Sequence, residues 1–354
     1  MLEELKAEKQ NWTNPYKNIS LRPYRLIAAG GGPKNVQLPD GTTMNASDLK
    51  RELNYPGLFA WNAEKKDLLE AVEFLHTHPE SNWDLVVDSG AYSAWSKGKL
   101  FDIDEYITFL ESNKILDVCF WAAEADKIPG SFGVDPTEEE RLAAPEISWE
   151  NYLYMIKRVS WPKKIVPIFH QGEDIKHLKR MLSYQFADGD FIPYIGISPR
   201  NDVHVNEKMK WYEHIWKVIY EECEKLGREI PLTHNFGMTT ISLMEQYPSC
   251  SSDSTSWVRS ASFGNINIVV NGKIKTVYVS NRNTLSPEHI SNQSQAIKDA
   301  VEDVCKEIGH GITTQSLIDD EKGAIRPLFN LISLNKWKQT FQYIGTREFK
   351  EELW

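Results

Sequence analysis

The sequence predicts an α/β protein built as a (β/α)8 barrel of the TIM type, with a C-terminal β-hairpin and a helical appendage. Three observations predict it. Eight short apolar runs recur between residues 21 and 260: Tyr24–Ala29, Gly57–Asn62, Leu85–Asp88, Val118–Ala123, Lys164–His170, Tyr194–Ser198, Leu232–Phe236 and Ser249–Asp253. Most are separated by stretches long enough to hold the crossover helix that parallel strands require. Past residue 260 the rhythm changes: Asn265–Val270 and Lys273–Val279 flank Asn271-Gly272, a pair suited to a type I′ hairpin turn.

Taken in order, residues 1–20 read as an amphipathic, partly exposed lead-in that is helix-prone over Met1–Lys6. The barrel follows as 21–260, and the hairpin with its helical region as 261–354. Within the barrel, Ala63–His76 carries an apolar face at Leu68, Leu69, Val72 and Leu75, and Lys208–Lys225 carries one at Trp211, Ile215, Ile219 and Cys223. Helices are expected again at Gln293–Gly309 and in the final fifty residues, and no internal repeat or low-complexity tract is present.

Composition narrows the function classes. The 354 residues are 41% hydrophobic and 25% charged, which is globular rather than disordered. Forty Lys and Arg against 50 Asp and Glu leave a net charge of −10, which argues against coating nucleic acid by bulk electrostatics but allows one local basic surface. The cysteines, Cys119, Cys223, Cys250 and Cys305, are too widely spaced for a disulfide framework or a four-cysteine zinc site. No apolar run approaches the roughly 18 residues of a membrane span, and the acidic start lacks a signal peptide's apolar centre, so a cytoplasmic protein without a membrane partner is expected. Twelve tryptophans and fourteen tyrosines suit a large core or a face that stacks on a planar ligand.

In such a barrel the chemistry lies at the C-terminal ends of the strands. Those ends read Asp88-Ser89-Gly90-Ala91-Tyr92, Glu124-Ala125-Asp126, His170-Gln171-Gly172, Gly196-Ile197-Ser198-Pro199, His234-Asn235-Phe236-Gly237 and Ser252-Asp253-Ser254. Any one aspartate after a strand is as often the cap of the next helix. Carboxylates at several mouths, with an amide, glycines and an aromatic, instead describe a pocket for a polar, planar, uncharged ligand, with acid–base or covalent chemistry beside it.

Asp88-Ser89-Gly90-Ala91-Tyr92 resembles the DSGG(F/Y) motif of the tRNA-guanine transglycosylases, and later elements follow that family in order. Asp126 stands where its base-recognising aspartate lies. Gln171-Gly172 resembles its glutamine-glycine strand end, Gly196-Ile197 its glycine-rich sixth strand, and Gly237 followed by Asp253 the segment that leads to its nucleophile. The resemblance spans about residues 80–257. Tyr194–Pro199 and Ser252–Trp257 are closer still to a divergent branch, the phage and genomic-island transglycosylases that place 7-deazaguanine bases in DNA. The family's zinc module of clustered cysteines and a histidine is missing, since the only cysteine beyond Asp253 is Cys305, with His310 five residues on.

The resemblance implies a base-exchange glycosyltransferase that replaces guanine in DNA with a free 7-deazaguanine such as 7-cyano-7-deazaguanine, without cofactor or metal. It makes Asp253 the nucleophile and Asp88 the general acid–base, roles that could be swapped. Tyr92 would stack on the base, and Asp126 would accept from its donors. Gln171, Gly172 and the backbone N–H near Gly196, with Ile197 and Ser198, would meet its carbonyl, and His234 and Asn235 would line the pocket. The DNA partner would be met by Arg200, Arg259, Lys273 and Lys275, with Arg282 nearby. Accessory proteins are compatible with this reading, and a phage-encoded enzyme would act in the host cytoplasm.

Three rivals stand beside it: transglycosylation on tRNA, a metal-dependent barrel hydrolase using His76 and His78, and a non-catalytic nucleic-acid-binding subunit. His76-Thr77-His78 reads better as an exposed helix end before Pro79. Gly30-Gly31-Gly32-Pro33-Lys34 lacks P-loop spacing and reads as a plain loop.

Overall fold

Strands covered on both faces run apolar without alternation, and Leu85, Val86 and Val87 are all buried. The computed structural model describes residues 10–17, 19, 24–200, 202–238 and 240–341. The helix-prone Met1–Lys6 and the last thirteen residues of the helical C-terminal region, 342–354, lie outside them.

The strands are β1 (Arg25–Ala28), the short pair β2 (Val36–Gln37) and β3 (Thr43–Met44), β4 (Gly57–Ala60), β5 (Leu85–Asp88), β6 (Trp121–Ala123), β7 (Ile165–Val166), β8 (Ile168–His170), β9 (Tyr194–Ser198), β10 (Leu232–Asn235), β11 (Ser251–Ser254), β12 (Asn265–Val270) and β13 (Lys273–Tyr278). Two parallel sheets result, ordered β4-β5-β6-β7 and β8-β9-β10-β11-β1, while β12 and β13 form the expected antiparallel hairpin. Helices cross between consecutive strands, among them Lys65–Thr77, Ile103–Ser112, Glu138–Ile156, Ile175–Ser183, Val205–Leu226 and Ile241–Gln246.

The hydrogen-bonded ladders are those of two parallel sheets, not of one closed cylinder: among the described residues no ladder joins β1 to β4. The other seam has a local cause. The expected strand Lys164–His170 is interrupted at Pro167, which has no N–H to give a ladder. Ile165 and Val166 pair with β6, and Ile168 to His170 pair with β9. The expected strand Val118–Ala123 is likewise corrected. Ile115–Val118 is a helical turn closed by the Cys119 N–H on the Ile115 carbonyl, and only Trp121–Ala123 joins the sheet. A short apolar run is buried in either state, so its composition does not distinguish them. The expected helix at Lys208–Lys225 begins earlier, at Val205, because the His204 side chain accepts from the Asn206 N–H as its cap, and it ends at Gly227 in the left-handed region.

Side-chain alternation divides the core in two. Leu26, Leu85, Val87, Ala122, Ile165, Phe169, Ile195 and Ile197 face the helices. A second cluster takes the opposite faces: Ile27, Val86, Trp121, Ala123, Val166, Ile168, Tyr194 and Cys250, flanked by Leu58, Leu232 and Phe236. In the loop after β1, Gly32 leaves no room for a side chain, since a Cβ there would meet Ala46 at 2.4 Å and Trp257 at 2.5 Å. The glycine run therefore packs the helix Ala46–Glu52 against the sheet, as a loop rather than a phosphate cradle.

The helix Ile325–Thr340 joins the C-terminal region to the strands. Its buried Asn330 accepts from the Asn267 N–H and donates to the Trp257 carbonyl, both at 2.7 Å. The Leu331 carbonyl accepts from the Tyr55 hydroxyl at 2.6 Å. The Asn330→Leu variant would leave a buried donor and acceptor unpaired, and we expect it to lose about 2–4 kcal/mol in urea denaturation, with the slope unchanged.

Candidate active site

Because all strands of both sheets are parallel, their C-terminal ends share one edge, and there a cavity of about 360 Å³ opens, the size of a small-molecule site. Its walls include Asp88, Tyr92, Asp126, His170, Gln171, Ser198, Arg200, Phe236 and Gly237.

Asp88 ends β5. Its carboxylate accepts from the Gly90 N–H at 2.5 Å, and Gly90 adopts φ +70°, where an added Cβ would strike the Asn62 amide at 2.2 Å. Asn62 in turn donates to the Gly90 carbonyl. Burial pushes the Asp88 carboxyl up to about 6, the Gly90 hydrogen bond opposes this, and the charges of Asp126 and Asp253 add to the rise. The acid is thus poised to exchange a proton near neutrality.

Asp126 follows β6 on a segment fastened to the helix Glu138–Ile156, where Asn151 donates to the Ala125 carbonyl and Ser148 accepts from the Lys127 N–H. His170 Nε2 lies 3.3 Å from Asp126 Oδ2 but lacks the alignment of a hydrogen bond. Burial disfavours the charged imidazole, yet the Asp126 carboxylate, with Glu173 behind it, outweighs burial and raises the His170 pKa. Gln171 accepts from the Arg200 N–H through Oε1 at 2.9 Å, which leaves its NH2 end to donate. Tyr92 is 63% exposed on the rim and packs at 5.6 Å against Trp95.

Asp253 lies in β11, where it pairs in register with Ile27 of β1. Its Oδ1 accepts from the Gly237 N–H at 2.7 Å and lies 3.2 Å from His234 Nε2. Gly237 forms part of the cavity wall, whereas Asp253 itself is not among the lining residues and is tied to that wall through the Gly237 N–H. A comparison with protein-family models and with curated proteins finds no match for the chain.

Several expected contacts are corrected. The Gly196 N–H is consumed by the Pro167 carbonyl at 2.8 Å, so it has no donor for a ligand. A Cβ on Gly196 would meet Phe236 at 2.6 Å and Ile168 at 3.1 Å, and this glycine instead makes space for Phe236. Ile197 is fully buried against the helices, and its carbonyl accepts from the Phe236 N–H. Gly172 is a turn residue at φ +108° and is not among the lining side chains. Asn235 faces outward and accepts from the Tyr212 hydroxyl at 3.1 Å, because adjacent strand residues point to opposite faces. His234 is completely buried behind Asp253 and does not line the cavity.

The expected phosphate contacts differ among themselves. Arg200 stands on the rim but is held by Asp202 through two bonds, at 3.0 and 2.5 Å. Arg259 is exposed on the helix Ser256–Ser262. Lys273 and Lys275 are exposed on β13, with Lys275 donating to Gln293, while Ile274 and the exposed Thr276 border a second cavity beside Ser254 and Trp257. His76 and His78 sit at an exposed helix end, with His78 stacked at 4.4 Å on Phe74.

Sequence reasoning missed His170 and Glu124. Glu124 is fully buried at the end of β6, accepts from the Ile168 N–H at 2.7 Å and is pushed well above the usual carboxylate range by burial. A charged residue closing an apolar strand was the available signal for it, and a histidine directly before Gln171 the signal for His170.

Asp88 also sets a pH dependence of stability. Its acid is weaker in the folded chain, about 6 against 3.8, so the folded state binds the extra proton and stability falls as pH rises from about 4 to about 6. Asp88→Asn keeps the acceptor for Gly90 without the charge. It is expected to stabilise by ~1–3 kcal/mol at pH 7–8, a gain that should vanish below about pH 4 when unfolding is followed across that range.

Proposed function

We propose that this chain is a DNA-guanine transglycosylase, exchanging guanine in DNA for a free 7-deazaguanine base such as 7-cyano-7-deazaguanine. The observation that carries the reading is the strand-end cavity in which Asp88, with its carboxyl raised to about 6, feels the charges of both Asp126 and Asp253. Unequal carboxylates at one mouth suit the two roles of a retaining glycosyl transfer. We also read the two sheets as a (β/α)8 barrel over residues 21–260, followed by the hairpin and helical region. The inner cluster supports this, since it draws one face from strands of both sheets, including β1 and β4 on either side of the unpaired seam.

In this reading an Asp253 oxygen bonds the sugar C1′ as the C1′–N9 bond breaks, and the bonding pair leaves with guanine, which takes the Asp88 proton. The incoming base then returns a proton to Asp88, its N9 attacks C1′, and the Asp253 ester is released. Asp126 accepts from the base's N1–H and exocyclic amine. The Gln171 NH2 donates to its carbonyl, and Tyr92 offers a stacking face. Adenine would leave these groups unpaired and is rejected. The target base must leave the duplex, or already be unpaired, to enter. Arg259, Lys273 and Lys275 are the cations offered to the backbone. No step needs a metal or cofactor.

The test is incubation with labelled 7-cyano-7-deazaguanine and duplex DNA, single-stranded DNA or tRNA. Label retained in DNA supports the reading, label in tRNA alone moves the enzyme to RNA, and label in none with accessory proteins supplied overturns it. Asp253→Ala is expected to lower incorporation by at least about 10³-fold, and denaturing electrophoresis should trap a protein–DNA adduct in the native enzyme only.

A further inference from the structure

Behind Asp253 runs a line of buried side chains that the mechanism above does not use. Tyr194, Ser251 and His234 are each at most 1% exposed. The Tyr194 hydroxyl lies 2.7 Å from Ser251 Oγ, Ser251 Oγ lies 2.7 Å from His234 Nδ1, and His234 Nε2 lies 3.2 Å from Asp253 Oδ1. The imidazole is clamped by Trp121 at 4.8 Å and by Phe236, edge to face, at 4.4 Å.

The direction of the hydrogens follows from the end of the line. A carboxylate offers only lone pairs, so the hydrogen between His234 and Asp253 belongs to Nε2. A neutral ring protonated there presents Nδ1 as an acceptor. The Ser251 hydroxyl donates to it, and the Ser251 oxygen accepts from the Tyr194 hydroxyl. Each link then has one donor and one acceptor. Both the Gly237 N–H and His234 fall on the same oxygen, Oδ1, and among the described residues no donor meets Oδ2.

We propose that Tyr194, Ser251 and His234 are positioning residues, a one-way hydrogen-bond chain that ties Asp253 down by Oδ1 and presents Oδ2 as the atom that bonds the sugar carbon. The chain itself stands on geometry alone, and its kinetic consequence rests on the transglycosylase reading. Oδ2 gains the bond to C1′, N9 keeps the electron pair of the bond that breaks, and the proton on the departing guanine comes from Asp88, so no hydrogen travels along the chain.

Two measurements test it separately. Ring ¹⁵N shifts of the histidines in the free protein, with His234 assigned by its loss in His234→Gln, should give Nε2–H and an accepting Nδ1. Ser251→Ala should move the Nδ1 signal, and Ser251→Thr, which keeps the hydroxyl, should restore it. A native His234 protonated at Nδ1, or ring signals identical in native and Ser251→Ala protein, overturns the chain whatever the protein catalyses. In base exchange, Ser251→Ala is expected to lower kcat by about 10–100-fold with KM for the free base within about threefold, Tyr194→Phe to act in the same direction, and Ser251→Thr to recover most of the loss. An unchanged kcat in Ser251→Ala overturns the positioning role. If the native protein exchanges no base, the transglycosylase reading fails while the ring shifts still decide the chain.

Discussion

Like charges crowded into one enclosed mouth repel, and the strand-end edge of this protein can hold its carboxylates only by compensating each differently. Asp88 has one backbone N–H and heavy burial, and it answers by holding its proton more tightly. Asp126 has an imidazole beside it whose charge it favours. Asp253 has two donors on one oxygen. Glu124, fully buried at the end of β6, is pushed by burial well above the usual carboxylate range. One structural demand, that charge be distributed and not summed, therefore separates the groups into an exchangeable acid, an acceptor beside an imidazole and an anchored carboxylate.

How much of this was legible depends on which property of a residue one asks for. The parallel architecture was readable because runs such as Leu85–Val87 are apolar on both faces. That same lack of alternation hides which face each residue takes. His234 and Asn235 are neighbours, so one must point inward and the other outward, and nothing in Leu232–Phe236 says which. Gly196 was visible as a glycine, but its reason, the ring of Phe236 from the next strand, is a tertiary contact. His170 could not be tied to Asp126 before the two strand ends were in register. The break at Pro167 was readable in principle, since proline cannot serve a continuous ladder, whereas the helical turn at Ile115–Val118 had no composition to distinguish it from strand.

The aspartates that end β5 and follow β6, by contrast, lie where the strand-end argument put them. A polar residue just past an apolar parallel strand has little choice but to face the rim, and the backbone places it there whatever its later role.

The pairing of β1 has a consequence for biogenesis. Its ladder partner among the described residues is β11, joined through Arg25↔Ser251 to Ala28↔Ser254, and the carbonyls that tie down Tyr55 and Lys338 connect the segment before β4 to the helix Ile325–Thr340. Among the described residues the first strand thus waits for more than two hundred further residues before its edge is satisfied, and Ile325–Thr340 is added to its surroundings only later. Contacts so distant along the chain slow folding and leave an open strand edge exposed during synthesis.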